Sequence, residues 1–431
     1  MGAKKFSGVK GMEDHFDPEQ VANWRKIEST ARRLFSRAGF QEIATPILED
    51  AALFERSVGS STEIVEKEMY TLLDRNGKKL AMRPEGTAPV VRAFIEHFTS
   101  HQVVEGRFLY LGPMFRYEKP QQGRLRQFHQ IGAEVFGSDH PLLDAELIGL
   151  IHQLFQELGL TGLRLVLNSL GSRESREKYR TALAKFLDGI QDKLCDDCRR
   201  RMLRNPLRAL DCKKEACIAA TADAPLLGDY LSPESAADFA AVQAGLKAQG
   251  VPFTLQSRLV RGLDYYEKTV FEFTSEALGA QNAVAAGGRY NDLVHDLGGP
   301  AVPGIGFALG MERLAALLPK SEQSGAELKT PRVYLIGLGA AAERELFKHL
   351  KTLREAGATV EMDFGGGALK SKMRRADRRQ ADFTVIIGED ELSKRVAVLR
   401  DMKAESQEET PVEELVNRLL ARFPTLNYFK L

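Results

Sequence analysis

The chain has 431 residues, of which 43% are hydrophobic and 28% charged, a composition that predicts about two to four globular domains. Lys and Arg number 60 against 59 Asp and Glu, so any nucleic-acid contact must come from local basic patches rather than net charge. No apolar run approaches the roughly 20 residues that cross a bilayer, and the first residues lack a hydrophobic signal core. The four cysteines fit a reducing compartment, and we therefore expect a cytoplasmic protein with no membrane partner.

The first predicted elements are a helix and a strand. Apolar residues recur at helical spacing from Val21 to Ala38, and this stripe ends at Gly39. The next run, FQEIATPIL, predicts a strand that contains Pro46. Because proline cannot donate a ladder hydrogen bond, this strand belongs at a sheet edge or a subunit contact.

Two further segments predict strands that carry polar groups. The run LAMRPEGTAPVVRAFIEH predicts a strand, a turn that holds Glu85 and Thr87, and a helix. Residues 110–137 predict two strands joined by a polar loop. Side chains in a strand alternate between faces, so Arg116 and Glu118 share one face of the first strand. One face of the second strand collects Phe128, Gln130, Gly132 and Glu134.

The side chains on the opposite face of both strands are mostly apolar, which suits packing against a covering layer. A face that gathers a guanidinium, two carboxylates and an amide predicts a binding surface for a polar ligand. The alternative is a solvated outer face. His129 lies on the other face from Gln130 and Glu134, and we interpret it as a packed structural histidine rather than a catalytic base.

The rest of the front part mixes helices and strands. Helices are predicted from about 141 to 158 and 172 to 192, and the pattern stays helical to about 245. LVRGLDYY and AVAAGGRY predict strands, and GIGFALGMERLAALL predicts a glycine-rich helix. This order favours an α+β domain with a mainly antiparallel sheet. A polar linker follows, and then an α/β pattern of about 100 residues.

Two arginines in this part predict contacts with an anion. Arg261 would be costly to bury unpaired in a strand, and a salt bridge to Asp264 or Glu272 is the alternative. In the predicted helix, Gly306, Gly310 and Arg313 share one face, so the backbone could approach a phosphate or a base beneath the guanidinium. The alternative is a tightly packed helix whose arginine points to solvent.

All four cysteines fall in one short stretch, at Cys195, Cys198, Cys212 and Cys217. The pattern C-x2-C-x13-C-x4-C is typical of a structural zinc site that ties together a small insertion. Its second pair is spaced more loosely than usual. Reduced free thiols are an equal alternative, and the sequence leaves the choice open.

Several segments resemble those of a known family. FQEIATPILE, GPMFRYE with RQFHQIGAEVFG, and GFALGMERL are similar to motifs 1, 2 and 3 of class II aminoacyl-tRNA synthetases, in order and at suitable distances. RPEGTAPVVR, LVRGLDYY and AAGGRYNDLV further resemble segments particular to the histidyl-tRNA synthetases. Together these segments are highly specific, and the resemblance covers nearly the whole chain.

The resemblance implies a class II synthetase-type antiparallel sheet flanked by helices in a catalytic domain at 1–320. It also implies a helical insertion at about 172–248, a linker at 321–331 and an α/β anticodon-binding domain at 332–431. The implied activity is ATP-dependent ligation of L-histidine to the 3′ end of tRNA(His), by a homodimer that uses Mg²⁺ with the ATP. No metal site on the protein itself is implied.

The resemblance also assigns roles to individual residues. Arg116 would contact the α-phosphate of ATP, Phe128 the adenine and Arg313 the γ-phosphate, with Glu118 in the same site. Arg261, with Arg116, would be catalytic. Glu85, Thr87 and Gln130 would hold the α-amino group of histidine. Glu134 and Tyr266 would line the imidazole pocket, with Tyr265 and Tyr290 nearby. Arg124 and Arg126 would meet the acceptor end of the tRNA.

One alternative belongs to a different functional class. Non-catalytic paralogues of these synthetases bind histidine and partner an ATP phosphoribosyltransferase. They typically lack the LVRGLDYY signature and the anticodon domain, and this sequence has both. The sequence therefore favours the ligase.

Overall fold

A computed structural model describes residues 6–59, 62–121, 123–204, 206–210, 212, 214–260, 263, 265–279, 282–319 and 331–422. The chain forms two compact units, Met1–Lys320 and Ser321–Leu431. The predicted linker at 321–331 lies outside the described residues except for its last position. The proposed domain boundaries therefore stay a prediction. In the described ranges, none of the helices has both the length and the apolar character of a membrane span.

The first unit mixes helices with mainly antiparallel strands, as predicted. Its helices are α1 (Pro18–Arg37), α2 (Ala51–Ser57), α3 (Thr87–His97), α4 (Pro141–Glu157), α5 (Arg173–Asp188), α6 (Asp196–Arg204), α7 (Glu215–Ala220), α8 (Pro233–Ala248), α9 (Leu293–Asp296) and α10 (Met311–Leu317). Its strands are β1 (Gln41–Glu42), β2 (Leu48–Asp50), β3 (Thr71–Leu73), β4 (Lys79–Met82), β5 (Gly106–Phe115), β6 (Gln127–Phe136), β7 (Leu163–Ser169), β8 (Thr254–Leu255), β9 (Glu267–Ser275), β10 (Ala283–Arg289) and β11 (Gly304–Gly310).

Eight of these strands form one sheet in the order β1-β5-β6-β11-β10-β9-β7-β8. The six inner strands are antiparallel, and the short edge strands β1 and β8 pair in parallel. β2, β4 and β3 form a separate small sheet. The α+β class with a large antiparallel sheet is thus confirmed. Pro46 lies between β1 and β2 rather than inside a strand, next to the sheet edge where it was expected.

One face of the sheet packs against a large hydrophobic cluster. Ile131, Ala133 and Val135 of β6 are buried in a cluster with Phe307 of β11. Helices α1 and α4 supply the covering layer, which includes Phe35, Ile148 and Phe155. The period-two alternation of β6 therefore has the predicted polarity, with the apolar parity packed under helices.

Two element predictions were wrong. GIGFALGMERLAALL is not one helix, because residues 304–310 form β11 and α10 begins at Met311. Ile305, Phe307 and Leu309 alternate into the core, which is the strand period that the spacing of glycines obscured. Consequently Gly306 and Arg313 do not share a helix face.

The LVRGLDYY run does not form a strand at any of its described residues, and β9 begins only at Glu267. The side-chain amide of Asn168 donates to the backbone oxygens of Ser257 at 3.1 Å and Leu259 at 2.9 Å. These carbonyl oxygens near the start of the run thus accept from a side chain of β7 rather than from the backbone of a paired strand. Likewise, β5 ends at Phe115, so Arg116 and Glu118 lie on the loop that follows it.

The second unit is an α/β domain with a mixed five-stranded sheet in the order β13-β12-β14-β15-β16. Its strands are β12 (Arg332–Gly337), β13 (Thr359–Met362), β14 (Phe383–Ile387), β15 (Val396–Asp401) and β16 (Gln407–Pro411). Its helices are α11 (Ala340–Glu355), α12 (Leu369–Arg378), α13 (Glu389–Lys394) and α14 (Leu415–Ala421). The unit has its own buried apolar cluster, as the sequence pattern predicted.

A buried ion pair joins β10 to α4 in the first unit. Arg289 is 1% exposed, and its Nε donates to Oδ1 of Asp144 at 2.7 Å. The same guanidinium donates to the backbone oxygens of Ser138 at 2.9 Å and His140 at 3.0 Å. Burial raises the pKa of Asp144, and Arg289 opposes that effect. Arg289 therefore neutralises a buried carboxylate and hydrogen-bonds two backbone carbonyls of the loop before α4.

Replacing Arg289 with alanine should strongly destabilise the first unit. The substitution Arg289→Ala leaves Asp144 buried without its cation, and breaking such a pair costs about 3–5 kcal/mol. Urea unfolding followed by circular dichroism measures the loss. Arg164→Ala is the control, because Arg164 pairs with Glu276 on an exposed surface and should cost little. Equal midpoints for the two variants would contradict this account.

Candidate active site

A cleft of about 200 Å³ opens on the face of the sheet opposite the α1 and α4 layer. It gathers polar side chains from the turn after β4, the loop after β5, strand β6, the segment before β9, and helix α10. Its charged, polar and aromatic lining residues are Glu85, Thr87, Arg116, Glu118, Arg124, Phe128, Gln130, Tyr265, Tyr266, Glu312 and Arg313. Ten of the predicted site residues are thus brought together from distant parts of the sequence.

Small residues form the floor of this cleft. Strand β11 pairs with β6 so that Gly306 lies opposite Glu134, Ala308 opposite Gly132, and Gly310 opposite Gln130. Ala286 of β10 pairs with Ala308 and also lines the cleft. Because Ala286, Ala308 and Gly310 carry little or no side chain, the amide of Gln130 stands beside open space.

Three arginines face the cleft. Arg116 donates from Nε to the backbone oxygen of Pro84 at 2.8 Å, and its guanidinium lies 5.2 Å from the centroid of the Phe128 ring. Arg313 donates from Nε to Gly123 at 3.0 Å and from a terminal nitrogen to Ala283 at 2.7 Å, both backbone oxygens. These contacts hold two guanidiniums at fixed positions around the same space.

The arginines repel one another across the cleft. Burial lowers the pKa of Arg313, and the nearby positive charges of Arg124 and Arg116 lower it further. A polyanion in the cleft would relieve this repulsion and accept forked hydrogen bonds from the guanidiniums. The cleft therefore has the electrostatics of a phosphate-binding site.

Glu118 and Arg126 fix the loop that carries Arg124. The buried carboxylate of Glu118 is in close contact with Nε of Arg124 and lies 3.8 Å from Arg116. Arg126 donates to the backbone oxygen of Glu118 at 3.1 Å and stacks 3.9 Å from the centroid of the Tyr117 ring. Arg124 lines the cleft itself, whereas Arg126 does not.

Gln130 has an unmatched acceptor in this site. Its Oε1 is buried, and no described residue hydrogen-bonds to it. A buried acceptor without a partner costs free energy that a bound donor would recover. The position of Gln130 on the cleft wall makes a ligand with N–H groups the natural partner.

The buried carboxylate of Glu85 caps helix α3. Its oxygens accept from the backbone N–H of Thr87 at 2.7 Å and of Ala88 at 2.8 Å. Burial raises the pKa of Glu85, and these two N–H donors oppose the rise. The capping interaction fixes the carboxylate on the cleft wall.

Glu134 lies behind the cleft wall instead of lining it, which differs from its predicted position, and Tyr290 lies beside it. Glu134 is fully buried, accepts from Oγ1 of Thr87 at 2.7 Å, and also accepts from the hydroxyl of Tyr290. Burial raises the pKa of Glu134 well above its usual range. Tyr265 and Tyr266 do line the cleft, and the Tyr265 ring packs 5.7 Å from the Tyr290 ring.

The sequence did not single out Tyr110 and Glu312. The Tyr110 ring lies under Gly86 and Gly132, where any added Cβ would collide with it, and burial raises the pKa of its hydroxyl well above normal. Tyr110 has the same strand parity as Arg116, so the sequence pattern could have placed it on the face of the sheet that carries the cleft. Glu312 accepts from the backbone N–H of His129 at 2.8 Å, and the His129 ring packs on Trp24 rather than in the cleft.

Arg83 connects the turn after β4 to two other segments. Its guanidinium donates to the backbone oxygen of Thr45 at 2.8 Å and of Pro113 at 2.9 Å. Arg83 is buried, and its neighbour Pro84 holds Arg116. Arg261, predicted to be catalytic, lies outside the described residues.

Comparisons with known proteins agree with this geometry. The family model described as histidyl-tRNA synthetase matches residues 11–314, and an anticodon binding domain model matches residues 332–422. The chain belongs to the histidyl-tRNA synthetase family. The predicted family is therefore confirmed.

Curated relatives are similar along almost their whole length. A histidine–tRNA ligase of Geobacter metallireducens is 50% identical over 93% of this chain and 96% of its own. One from Geobacter sulfurreducens is 49% identical over 96% of this chain and 100% of its own. The apo histidyl-tRNA synthetase of S. aureus is 34% identical with a TM-score of 0.78, covering 96% of this chain and 99% of that one.

Adding one methyl group at Gly306 should disturb the site. In Gly306→Ala the new Cβ would overlap Oε2 of Glu134 and stand 2.8 Å from the backbone oxygen of Ala133. We expect a loss of about 1–3 kcal/mol in unfolding free energy from overpacking, measured by urea unfolding. Gly310→Ala in the same strand is the control, since its Cβ meets nothing closer than Arg313 at 3.7 Å. Identical stability of both variants would contradict the packing described here.

Proposed function

We propose that the protein is a class II histidine–tRNA ligase. It activates L-histidine with ATP to histidyl-adenylate and pyrophosphate, and then transfers histidine to the 3′ end of tRNA(His). The observation that carries this proposal is the convergence of Arg116, Arg124 and Arg313 with buried carboxylates and an unmatched Gln130 in one cleft. Membership of the histidyl-tRNA synthetase family supports the same activity.

ATP occupies the end of the cleft that carries the arginines. Arg116 contacts the α-phosphate and Arg313 the γ-phosphate, while the adenine stacks against Phe128. The separate backbone anchors of Arg116 and Arg313 support this assignment, because they hold the two cations apart along a polyphosphate. Glu118 orients Arg116 and Arg124 toward the nucleotide.

Histidine occupies the space next to the turn after β4. Its α-ammonium group donates to the carboxylate of Glu85 and the Oε1 of Gln130, with Thr87 beside them. Tyr265 and Tyr266 flank the imidazole, and Glu134 with Tyr290 supports them from behind. A pocket that hydrogen-bonds an imidazole leaves its own groups unpaired with any other side chain, which provides selectivity.

Adenylation requires positioning and charge stabilisation more than acid–base chemistry. The histidine carboxylate attacks the α-phosphorus in line, a new C–O–P linkage forms, and the bond to pyrophosphate breaks. Negative charge grows on the α-phosphate oxygens, where Arg116 and Arg261 stabilise it. Guanidiniums suit this role because they remain charged and donate two parallel hydrogen bonds.

Mg²⁺ is part of this proposal as the ion that accompanies ATP. The donor set fits, since Glu118 and Glu312 line the cleft, and Mg²⁺ is usually held by one or two carboxylates plus substrate phosphates. When bound, the ion neutralises charge on the β- and γ-phosphates. The residues of the chain orient the nucleotide and the amino acid, and Arg116 and Arg261 stabilise the charge on the α-phosphate.

The second half-reaction involves the tRNA. Arg124 at the cleft and Arg126 beside it are positioned to meet the phosphates of the acceptor end. The unit beyond residue 331 matches an anticodon binding domain model, and we assign it the anticodon end of the tRNA. We further propose that the protein works in the cytoplasm, alongside translation.

Histidine-dependent exchange of labelled pyrophosphate into ATP tests the class of activity, the substrate and catalytic competence together. Run with each of the twenty amino acids, the assay should give strong exchange with histidine alone. The reason is that only imidazole satisfies the polar groups behind Tyr265 and Tyr266. Folded protein that binds histidine but gives no exchange would instead be a regulatory paralogue.

Removing either catalytic arginine should slow adenylation. Arg116→Ala and Arg261→Ala should each lower the exchange rate by at least about 100-fold, the scale lost with one electrostatic stabiliser of a transition state. Arg173→Ala is the control, because Arg173 is exposed on α5 and does not line the cleft. Unchanged turnover in Arg261→Ala would refute its role.

We also propose that the protein is a homodimer. The segment from Gln41 to Leu48 flanks the sheet edge, resembles motif 1, and exposes 42% of Ile47 and 43% of Leu48. Light scattering at micromolar concentration should therefore give about twice the chain mass of 47.9 kDa. The double substitution of Ile47 and Leu48 by serine should lower that mass, and a monomeric unmodified protein would contradict the proposal.

A further inference from the structure

The four cysteines of the chain meet at one point of the helical segment after α5. Their Sγ atoms all lie within 4.8 Å of one another, and the Sγ atoms of Cys195 and Cys212 are 4.0 Å apart. Cys198 and Cys217 are buried, whereas Cys195 and Cys212 are partly exposed. The chain contains no other cysteine. Cysteines serving only as small apolar residues would have no reason to converge in this way.

The spacing of the sulfur atoms fits a tetrahedral metal site. With Zn–S bonds of about 2.3 Å, tetrahedral geometry puts neighbouring sulfurs about 3.8 Å apart. A disulfide requires an S–S distance of about 2.05 Å, and one pair would leave the other two sulfurs unexplained. The 4.0 Å between the Sγ atoms of Cys195 and Cys212 is close to the first value and far from the second, and all four cysteines are free thiols in the structure.

The backbone brings cysteines from separate elements together. Cys195 immediately precedes α6, and Cys198 lies in the first turn of that helix. The backbone N–H of Cys195 in turn donates to Sγ of Cys217 at 3.2 Å. The Sγ of Cys198 lies 4.0 Å from the backbone oxygen of Ala209. The sulfurs are therefore the point at which these short elements meet.

This segment has very little core of its own. The buried apolar residues described between positions 195 and 227 are Cys198, Ala209, Cys217, Ala224 and Leu227. Helices α6 and α7 have nine and six residues, and isolated helices shorter than about 12 residues are marginal in water. A segment of this kind needs a cross-link, and a metal ion can supply one.

We propose that Cys195, Cys198, Cys212 and Cys217 bind one structural Zn²⁺ ion that holds α6, the turn at Pro206–Ala209 and α7 together. Four thiolates with no open coordination position make the site structural rather than catalytic. The site is separate from the cleft, which none of the cysteines lines. It therefore stabilises the insertion and takes no part in adenylation.

Metal analysis of the purified full chain tests the proposal directly. Without added metal, the protein should contain about one zinc ion per chain by plasma mass spectrometry. Titration with an organic mercurial should release that zinc to an indicator dye as about four thiols react. Less than about a tenth of an equivalent of zinc, with four titratable thiols or with a disulfide found by mass spectrometry, would overturn the proposal.

Variants and metal replacement give a second test that does not depend on activity. Cys217→Ser should lower the zinc content at least tenfold after dialysis against a chelator, and should lower the unfolding temperature. Ile218→Ser is the matched control, because Ile218 is the exposed neighbour on α7 and should leave the zinc in place. If Cys217→Ser does not fold, Co²⁺ exchange into the unmodified protein decides. Absorption bands of a tetrahedral cobalt–thiolate centre support the site, and their absence counts against it.

Discussion

The register between β6 and β11 is the constraint on which the rest of the site depends. It sets Glu134 opposite Gly306 and Gln130 opposite Gly310. A shift by one residue would move Gln130 and Glu134 into the apolar layer under α1 and α4, and Ile131 and Ala133 into the cleft. The core and the binding surface are therefore specified by the same ladder. Glycine at these positions serves close packing against polar side chains rather than flexibility.

Burial of charge is tolerated here because each charged group has a defined partner. Glu85 is satisfied by the backbone at the start of α3, Glu134 by two hydroxyls, and Arg289 by Asp144 and two carbonyls. The cleft differs, because its arginines crowd together and Gln130 keeps an unmatched oxygen. These three structural groups find their partners within the chain, while the cleft keeps a polar atom that a ligand could satisfy.

Side-chain parity predicted much of the site, and its failures have physical causes. The alternation in β6 correctly grouped Phe128 and Gln130 on the cleft side, because a half-buried strand must keep a strict period of two. Arg116 and Glu118 also reach the cleft, but from a loop, since β5 ends at Phe115. Parity cannot predict where a strand stops.

The prediction for β11 failed because residues with small side chains give a weak hydrophobic pattern, and Phe307, Met311 and Leu314 happen to lie at helical spacing. Parity also cannot predict how deeply a side chain is buried. It put Glu134 on the correct face, but only the hydrogen bonds from Thr87 and Tyr290 show that Glu134 lies behind the cleft wall. Convergence of the four sulfurs depends on turns between short helices, which a one-dimensional pattern does not encode.

The buried guanidinium of Arg83 connects the segment beside the sheet edge to the turn after β4 on the cleft wall. It donates to Thr45 beside the exposed sheet edge, and the backbone oxygen of the next residue, Pro84, accepts from Arg116 on the cleft wall. If a second copy covers that edge, occupancy of the cleft and self-association become reciprocal equilibria. The factor by which dimer formation raises ligand affinity then equals the factor by which bound ligand strengthens the dimer. Dilution into monomers would release ligand, and saturating ligand would keep the dimer together at lower protein concentrations.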